Sequence, residues 1–389
     1  MLSTALLGIG MVVIYAISPG LAGQNNVSEG YYVSKQLISI VLGVIAFLVM
    51  ANVPLQFWRR VQKPLIIAAG IAALAVRLVG EEVNGAYRWI QLGGMSFQAV
   101  ELIKFALLIW MASFLTDRLQ RGELNSTDKA LKPLFFALGS IGVVVAILQG
   151  DFGSTAVMVA MMAAMVFVVG MPLRRVMAVG AIVAIGATML IASTPYRRER
   201  LATFVNPERD CQNAGYQACQ ALIAVGSGGM FGLGLAQSVQ AYGYLPEAAN
   251  DSIFAIYAEK FGFVGVTVLV GLFLALFSRL FKIIEHTPDM FSRLIVVGIL
   301  AWLSTQALIN MGAMLGLLPL KGITLPFISY GGTSLLFITG MVGLAFQVSR
   351  YTSYGRVNTN NYEQGINNKS PADRWGDRRT YHPPVSRRP

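Results

Sequence analysis

The sequence predicts an all-α, polytopic integral membrane protein of about ten transmembrane helices with both termini cytoplasmic, and three observations carry that prediction. The 389 residues are 55% hydrophobic and only 13% charged, with a mean hydropathy of +0.60, whereas a soluble domain is about half apolar and about a quarter charged. Apolar runs of roughly 20 residues, enough to cross about 30 Å of hydrocarbon, recur along nearly the whole chain. The short loops between them concentrate Lys and Arg on alternate sides.

The runs fall at 2–18, 33–53, 63–79, 99–116, 132–149, 153–170, 176–192, 254–278, 294–314 and 331–349. The first starts almost at Met1 without a basic flank and leads into Ser18-Pro19-Gly20 rather than a small-x-small cleavage site. It therefore reads as an uncleaved span. Arg59, Arg60 and Lys63 follow the second span, Arg118, Arg121, Lys129 and Lys132 the fourth, and Arg174 and Arg175 the sixth; Arg279, Lys282 and Arg293 flank the loop after the eighth. These share one side, which the positive-inside rule makes cytoplasmic, and the loop from Pro19 to Tyr32, without Lys or Arg, faces outward. Residues 1–349 form one membrane domain. The segment 350–389 holds Arg350, Arg356, Lys369, Arg374, Arg378, Arg379, Arg387 and Arg388 among Asn, Pro and Ser. It reads as a disordered basic tail lying along anionic membrane lipids, or as a docking peptide for a cytoplasmic partner.

Two outward loops are long enough to build a site, Gly80 to Gln98 and the larger 193–253. Within the larger loop, "GYQACQALIAVGSGGMFGLG" is apolar but broken by Gly226, Gly228, Gly229, Gly232 and Gly234. Such glycine density argues for a re-entrant or interfacial segment over a regular span. Next comes "YLPEAANDSIF", with Glu247 and Asp251 four apart. They would share a helix face if the eighth helix starts early, as Pro246 permits, and would then serve either as N-terminal caps or as catalytic acids.

Charges inside spans are expensive and face a bundle interior or an aqueous cavity. Glu101 and Lys104, i and i+3 in the fourth span, form a self-neutralising pair or line a polar cavity; Glu259 and Lys260 intrude in the same way, and Asp151 falls between spans five and six. The outward cluster Arg197, Arg198 and Arg200 is either solvated or a set of guanidinium forks for phosphate at the membrane surface. Cys211 and Cys219, the only cysteines, lie in the oxidising-side loop as a disulfide or as two thiols. His286 and His382 are isolated, so no metal-ligand cluster is apparent. There is no Walker loop, dinucleotide fingerprint or Ser-His-Asp set, and nothing indicates nucleic acid as a partner.

Six stretches, "GAYRWIQLGGMSFQAVELIK", "LQGDFGSTAV", "YRRERLATFVNP", "GYQACQALIAVGSGGMFGLGLAQS", "YLPEAANDSIFAIYAEKFGFVG" and "LPLKGITLPFISYGGTS", resemble in order the signatures of the SEDS family, the FtsW, RodA and SpoVE proteins. The match runs from Leu6 to Ser349, and the Lys-Gly-x-Thr-Leu-Pro form of the last motif is more like FtsW and SpoVE than RodA. The resemblance implies a bacterial inner-membrane glycosyltransferase that polymerises lipid II into glycan strands on the extracytoplasmic side. It further implies divisome partners and a class B penicillin-binding protein that cross-links the strands, its membrane helix expected against spans eight and nine.

By the same resemblance Asp251 is the catalytic residue. Arg88, Glu101, Lys104, Arg197, Arg198, Glu247, Lys321 and Ser329 are expected to bind substrate, and Gln98, Gln149 and Asp151 to support them. A carboxylate at the mouth of a partly desolvated cavity can take the acceptor hydroxyl's proton while basic groups stabilise the departing lipid pyrophosphate. The donor already carries its leaving group, so displacement with inversion needs no second carboxylate. No cofactor is required, although a divalent cation, Mg or Mn, would suit the pyrophosphate.

The sequence departs from the family pattern at several points. The usual Gln-Pro-Ser-Glu is Gln98-Ala99-Val100-Glu101, Gln-Pro-Asp is Gln149-Gly150-Asp151, His-Thr-Asp-Phe is Ala249-Asn250-Asp251-Ser252, and a Lys a few residues earlier is replaced by Gln240 or Ala241. If that His and Lys hold substrate in the family, this protein must bind it differently or more weakly. Competing readings are a RodA-like elongation polymerase, a lipid II flippase and a non-catalytic division scaffold. A carrier predicts midplane charges and repeated halves, whereas these acids and bases cluster near the outer ends of spans.

Overall fold

The computed structural model describes residues 1–172 except 84, 85, 93 and 94, then 174, 175, 177, 180, 181, 186, 204 and 211–213, and finally 215–352. Most of the predicted seventh span, the Arg197/Arg198 cluster and the tail beyond residue 352 lie outside the described residues.

Helices dominate, as the apolar runs require, because backbone polar groups in hydrocarbon must be satisfied within the segment. In chain order they are α1 (Leu2–Asn25), α2 (Tyr31–Asn52), a short α3 (Leu55–Arg60), α4 (Gln62–Val79), α5 (Ala99–Gln120), α6 (Lys132–Ile141, flanked by π-helical turns), α7 (Phe152–Val168), α8 (Tyr216–Ser227), α9 (Ile253–His286), α10 (Met290–Met314) and α11 (Gly332–Arg350). Among the described residues, eight helical segments are long and apolar enough to cross a membrane; α7, at 17 residues, is slightly shorter. The chain is thus an all-α, multi-pass membrane protein.

Two boundaries differ from expectation. The first span continues to Asn25 through Pro19 and stops where Asn26 turns left-handed. Losing one backbone bond at a proline costs less in an apolar setting than unwinding several residues. The predicted loop Gly80 to Gln98 instead contains a small antiparallel sheet, β1 (Glu81–Val83), β2 (Ala86–Leu92) and β3 (Met95–Gln98), with Trp89 opposite Gln98 and Ile90 opposite Phe97. Aromatic and β-branched residues flanking a Gly-Gly pair are a hairpin signal. Thr333 ties β3 to α11, its hydroxyl donating to Ser96 O at 2.7 Å and accepting from Gln98 N–H at 3.3 Å.

Helices α5, α10 and α11 are the interior of the bundle, while α4 and much of α2 and α9 face outward. With lipid as apolar as any side chain, close packing must hold the helices together. Where α11 crosses α2, a Cβ on Gly343 would lie 2.5 Å from Phe47 O. Any larger residue there would push the two helices apart. At the end of the bundle carrying the basic loops, Lys129 first and then Arg118 hold the Glu123 carboxyl below its ordinary range.

Helix α9 is broken once, at Gly262 (φ +63°, ψ −165°). The break frees carbonyls on one side and amides on the other, and the glycine-rich loop after α8 satisfies both. Leu233 N–H and Gly234 N–H donate to Glu259 O and Lys260 O at 2.9 and 3.0 Å, while Phe263 N–H and Val264 N–H donate to Gly229 O and Met230 O at 2.9 and 3.0 Å. A Cβ on Gly232 would sit 2.1 Å from Lys260 O. Only glycine lets the two backbones approach closely enough for this exchange. The glycine-broken segment is therefore a 12-residue helix followed by a loop docked on a broken helix.

Candidate active site

The site lies where β2, the turn before α7, the loop before α9 and the loop between α10 and α11 meet. The expected early start of α9 does not occur: residues 244–252 form consecutive turns and the helix begins at Ile253, with Ser252 at the N-cap position. Glu247 is in the left-handed region at φ +52°, and its carbonyl accepts from Asn250 N–H (3.0 Å) and Ser252 N–H (3.2 Å). Ser252 Oγ donates to Pro246 O at 2.9 Å and accepts from Gln217 of α8 at 3.1 Å. The local backbone bonds of this turn outcompete helix nucleation. Neither acid is in the first helical turn, so Glu247 and Asp251 do not share a helix face. Glu247 is exposed on the rim with its carboxylate against Asn250 Nδ2, and Asp251 is half-buried.

Asp251 is positioned through its backbone. Asn310, deep in α10, donates from Nδ2 to Asp251 O and to Ile323 O, both at 2.7 Å, binding the acid-bearing turn to the loop 321–325. Ser329 Oγ donates to Asn250 O (2.6 Å) and accepts from Leu325 N–H (2.7 Å). Tyr330 N–H donates to Ala249 O at 2.8 Å. Of three consecutive carbonyls, those of residues 249 and 250 are thus held by the loop between α10 and α11, and that of residue 251 by α10 itself. The buried Ser329, expected to bind substrate, has its hydroxyl engaged in this tie.

Arg88 reaches the site from β2. Its Nε and Nη2 donate to Gln149 O at 3.3 Å and Gly150 O at 2.8 Å, which leaves Nη1 directed at Gly322. The position a Cβ would take on Gly322 is 3.4 Å from Arg88 Nη1 and 3.6 Å from Asp251 Oδ2. An arginine fork and a carboxylate therefore border one exposed glycine. Gly150 has φ +62°, which a proline locked near about −65° cannot adopt. The departure from Gln-Pro-Asp thus accompanies a turn that offers its carbonyl to Arg88. Asp151 next in line caps α7, accepting from Ser154 N–H at 2.9 Å, and Lys321 Nζ lies 5.3 Å from the Phe152 ring centroid. Gln149 is buried, and Gln98 is buried where β3 enters α5.

The in-span charges divide differently from the sequence expectation. Glu101 and Lys104 form an ion pair at 2.7 Å with side chains 4% and 2% exposed. Lys104 Nζ also sits 4.5 Å from the Trp302 ring centroid and 3.4 Å from Gln306 Oε1. Gln306 in turn donates to Thr324 O at 3.0 Å. The pair is thus packed behind the loop 321–325 rather than lining an open cavity. Glu259 and Lys260 turn to partners in the preceding loop: the Glu259 carboxylate accepts from Ser238 Oγ, Val239 N–H and Gln240 N–H, and Lys260 Nζ donates to Leu235 O. Cys211 and Cys219 are joined in a disulfide before and within α8.

Among the described residues no three His, Cys, Asp or Glu side chains converge. Asp251 shares its opening with a guanidinium, which is a poor setting for a hard cation that wants several oxygen ligands. The described side chains at this site do not form a metal cage.

Asn310, Gln306 and Gly322 were not singled out from sequence. Asn310 and Gln306 stand in an apolar span, and buried polar residues at bilayer depth were the available signal. Rim aromatics complete the site. Tyr330 packs edge-on to Tyr32 with centroids 5.4 Å apart, and Tyr32 to Tyr31 at 5.3 Å. Burial, then the neighbouring Tyr31 and Tyr32, push the Tyr330 hydroxyl up to about 12.

A multi-pass helical bundle that brings an acid and an arginine to one exposed glycine defines the class, a multi-pass membrane protein with a polar candidate site. The chain belongs to the FtsW/RodA/SpoVE family, whose model, described as "Cell cycle protein", matches residues 1–354. It is 39% identical over 349 residues to the probable peptidoglycan glycosyltransferase FtsW of Saccharophagus degradans, covering 88% of this chain and 89% of the relative. It is 36% identical to the stage V sporulation protein E of Bacillus subtilis, covering 90% and 95%. Among solved structures, a chain described under "Structural coordination of polymerization and crosslinking by a peptidoglycan synthase complex" superposes with a TM-score of 0.75 at 28% identity, covering 91% of this chain and 97% of that one. The rod shape determining protein RodA of Thermus thermophilus gives 0.66 at 26% identity, covering 91% and 96%.

Proposed function

We infer that this protein is a peptidoglycan glycosyltransferase of bacterial cell-wall synthesis that polymerises lipid II at the outer face of the cytoplasmic membrane, in a division role. Family membership and the named relatives support the glycosyltransferase reading. The observation that carries the chemistry is the convergence of Asp251 Oδ2 and Arg88 Nη1 on Gly322. Asp251 takes the proton from the acceptor sugar's hydroxyl as that oxygen attacks the donor's anomeric carbon. The bond to the lipid pyrophosphate breaks with inversion, and the leaving oxygen departs as an anion. Arg88, braced by two carbonyls, supplies fixed positive charge for that anion, which needs little reorganisation when it forms. Lys321, and Arg197 and Arg198 beyond the described residues, would add to it.

The positive-inside distribution supports placing the Asp251 mouth outside. The partner in this reading is a class B penicillin-binding protein, with its membrane helix against α9 and α10, where Phe263, Leu274 and Leu308 are exposed. The test is strand synthesis from purified lipid II by the reconstituted protein with its cognate transpeptidase, wild type against Asp251→Asn. Long strands from the wild type and none from a folded variant support the reading; equal strands from both refute the role of Asp251.

A further inference from the structure

The outward segment "GQNNVSEGYY", residues 23–32, holds no Lys or Arg and is rich in amides and tyrosine. The chemistry above gives it no role, yet the fold places it against the catalytic turn. Tyr330 N–H is bonded to Ala249 O, two residues before Asp251. The Tyr330 ring carries Tyr32, and Tyr32 carries Tyr31, each edge to face. All three rings are half-exposed. Asn25 Nδ2 donates to the Tyr32 hydroxyl at 2.9 Å, which fixes that ring from the end of α1. Glu247 lies close enough for its charge to act on Tyr32. The row of rings therefore starts beside the acid and runs out over the rim, bordered by exposed amides at Gln24, Asn25 and Asn26 and by the Glu247 carboxylate.

That chemistry suits a pyranose chain. The C–H face of an amino sugar is apolar and slightly positive, so it packs on the negative face of an aromatic ring, while hydroxyl and acetamido groups at its edge need amide and carboxylate partners. Lys35 Nζ lies over the Tyr31 ring, 4.7 Å from its centroid; a surface for anionic lipid would gather several such cations, and residues 23–32 add none.

We propose that Tyr31, Tyr32 and Tyr330, with Asn25 and Glu247, form a saccharide platform that holds the sugar chain adjoining the bond made at Asp251. The proposal rests on the polymerase reading for its substrate class. Its geometry stands independently of that reading.

The test uses the full-length protein in nanodiscs with chitotetraose, a neutral β-1,4-linked N-acetylglucosamine tetramer, as the probe, followed by saturation-transfer NMR. Wild type and Asp251→Asn should bind alike, with a dissociation constant on the order of 1 mM. Tyr32→Leu should weaken binding about fivefold while Tyr32→Phe, which keeps the ring, retains most of it. Tyr31→Leu, on the outer ring, is the second variant if Tyr32→Leu lowers the yield of folded protein. In strand synthesis with the transpeptidase, the Leu variants should give shorter strands than wild type. Unchanged binding and strand length in both Leu variants would overturn the platform. Saccharide binding lost with the rings, but no strands from the wild type under any partner condition, would leave the platform standing and remove the polymerase reading.

Discussion

Asp251 and Glu259 lie eight residues apart around the start of one helix, yet the fold uses them in opposite ways. Glu259 is buried and accepts from two amides and a hydroxyl, pinning residues 238–240 to α9. Asp251 is gripped by its backbone carbonyl through Asn310, and its half-exposed side chain borders the opening at Gly322 with Arg88. Glu101 is buried as Glu259 is, but through an ion pair with Lys104. The two acids thus differ in setting: the Glu259 carboxylate braces a loop from inside the helix, and the Asp251 carboxylate borders an exposed glycine beside an arginine.

The sharpest way to break this comparison is Asp251→Asn, which should lower strand synthesis by about a thousandfold and leave thermal unfolding in detergent unchanged. A large loss of thermal stability would move Asp251 to the structural group. Next, Lys104→Met leaves Glu101 buried without its counter-charge and should cost about 3 kcal/mol of stability. An unchanged melting temperature with strand synthesis lost would place that pair at the substrate instead.

A smaller effect is expected from Arg88→Lys. One ammonium cannot hold the Gln149 and Gly150 carbonyls and still face Gly322, so activity should fall about tenfold with the fold intact. Activity equal to wild type would show that Arg88 acts as a point charge or not at all. The smallest effect is a pH response at the rim. The Tyr330 hydroxyl is raised to about 12 in the folded protein, so as pH climbs from about 10 the unfolded chain ionises first and stability declines through the folded value. Tyr330→Phe should flatten that alkaline limb, and an unchanged limb would assign the decline to other groups.

In the sequence the candidate site is legible as residue types at particular positions: Asp251, Arg88 and Glu247 all fall in the loops that the Lys and Arg distribution predicts to be outward. Their relationships were less legible. Whether Glu247 and Asp251 share a helix face depended on where α9 starts, and local turn bonds, led by the left-handed Glu247, moved that start to Ile253. Glu259 and Lys260 read as an in-span pair, yet each finds its partner some 20 residues away in a loop.

By itself the sequence determined the membrane class and nearly every described span, because hydropathy is summed locally over about 20 residues. Tertiary structure alone decided which donors reach Glu259 and Glu101, how Gly232 lets a loop mend the break at Gly262, and that Asn310, Arg88 and Gly322 meet Asp251. Those outcomes depend on donors and acceptors from distant segments reaching hydrogen-bond distance, and no periodicity along the chain encodes such a meeting.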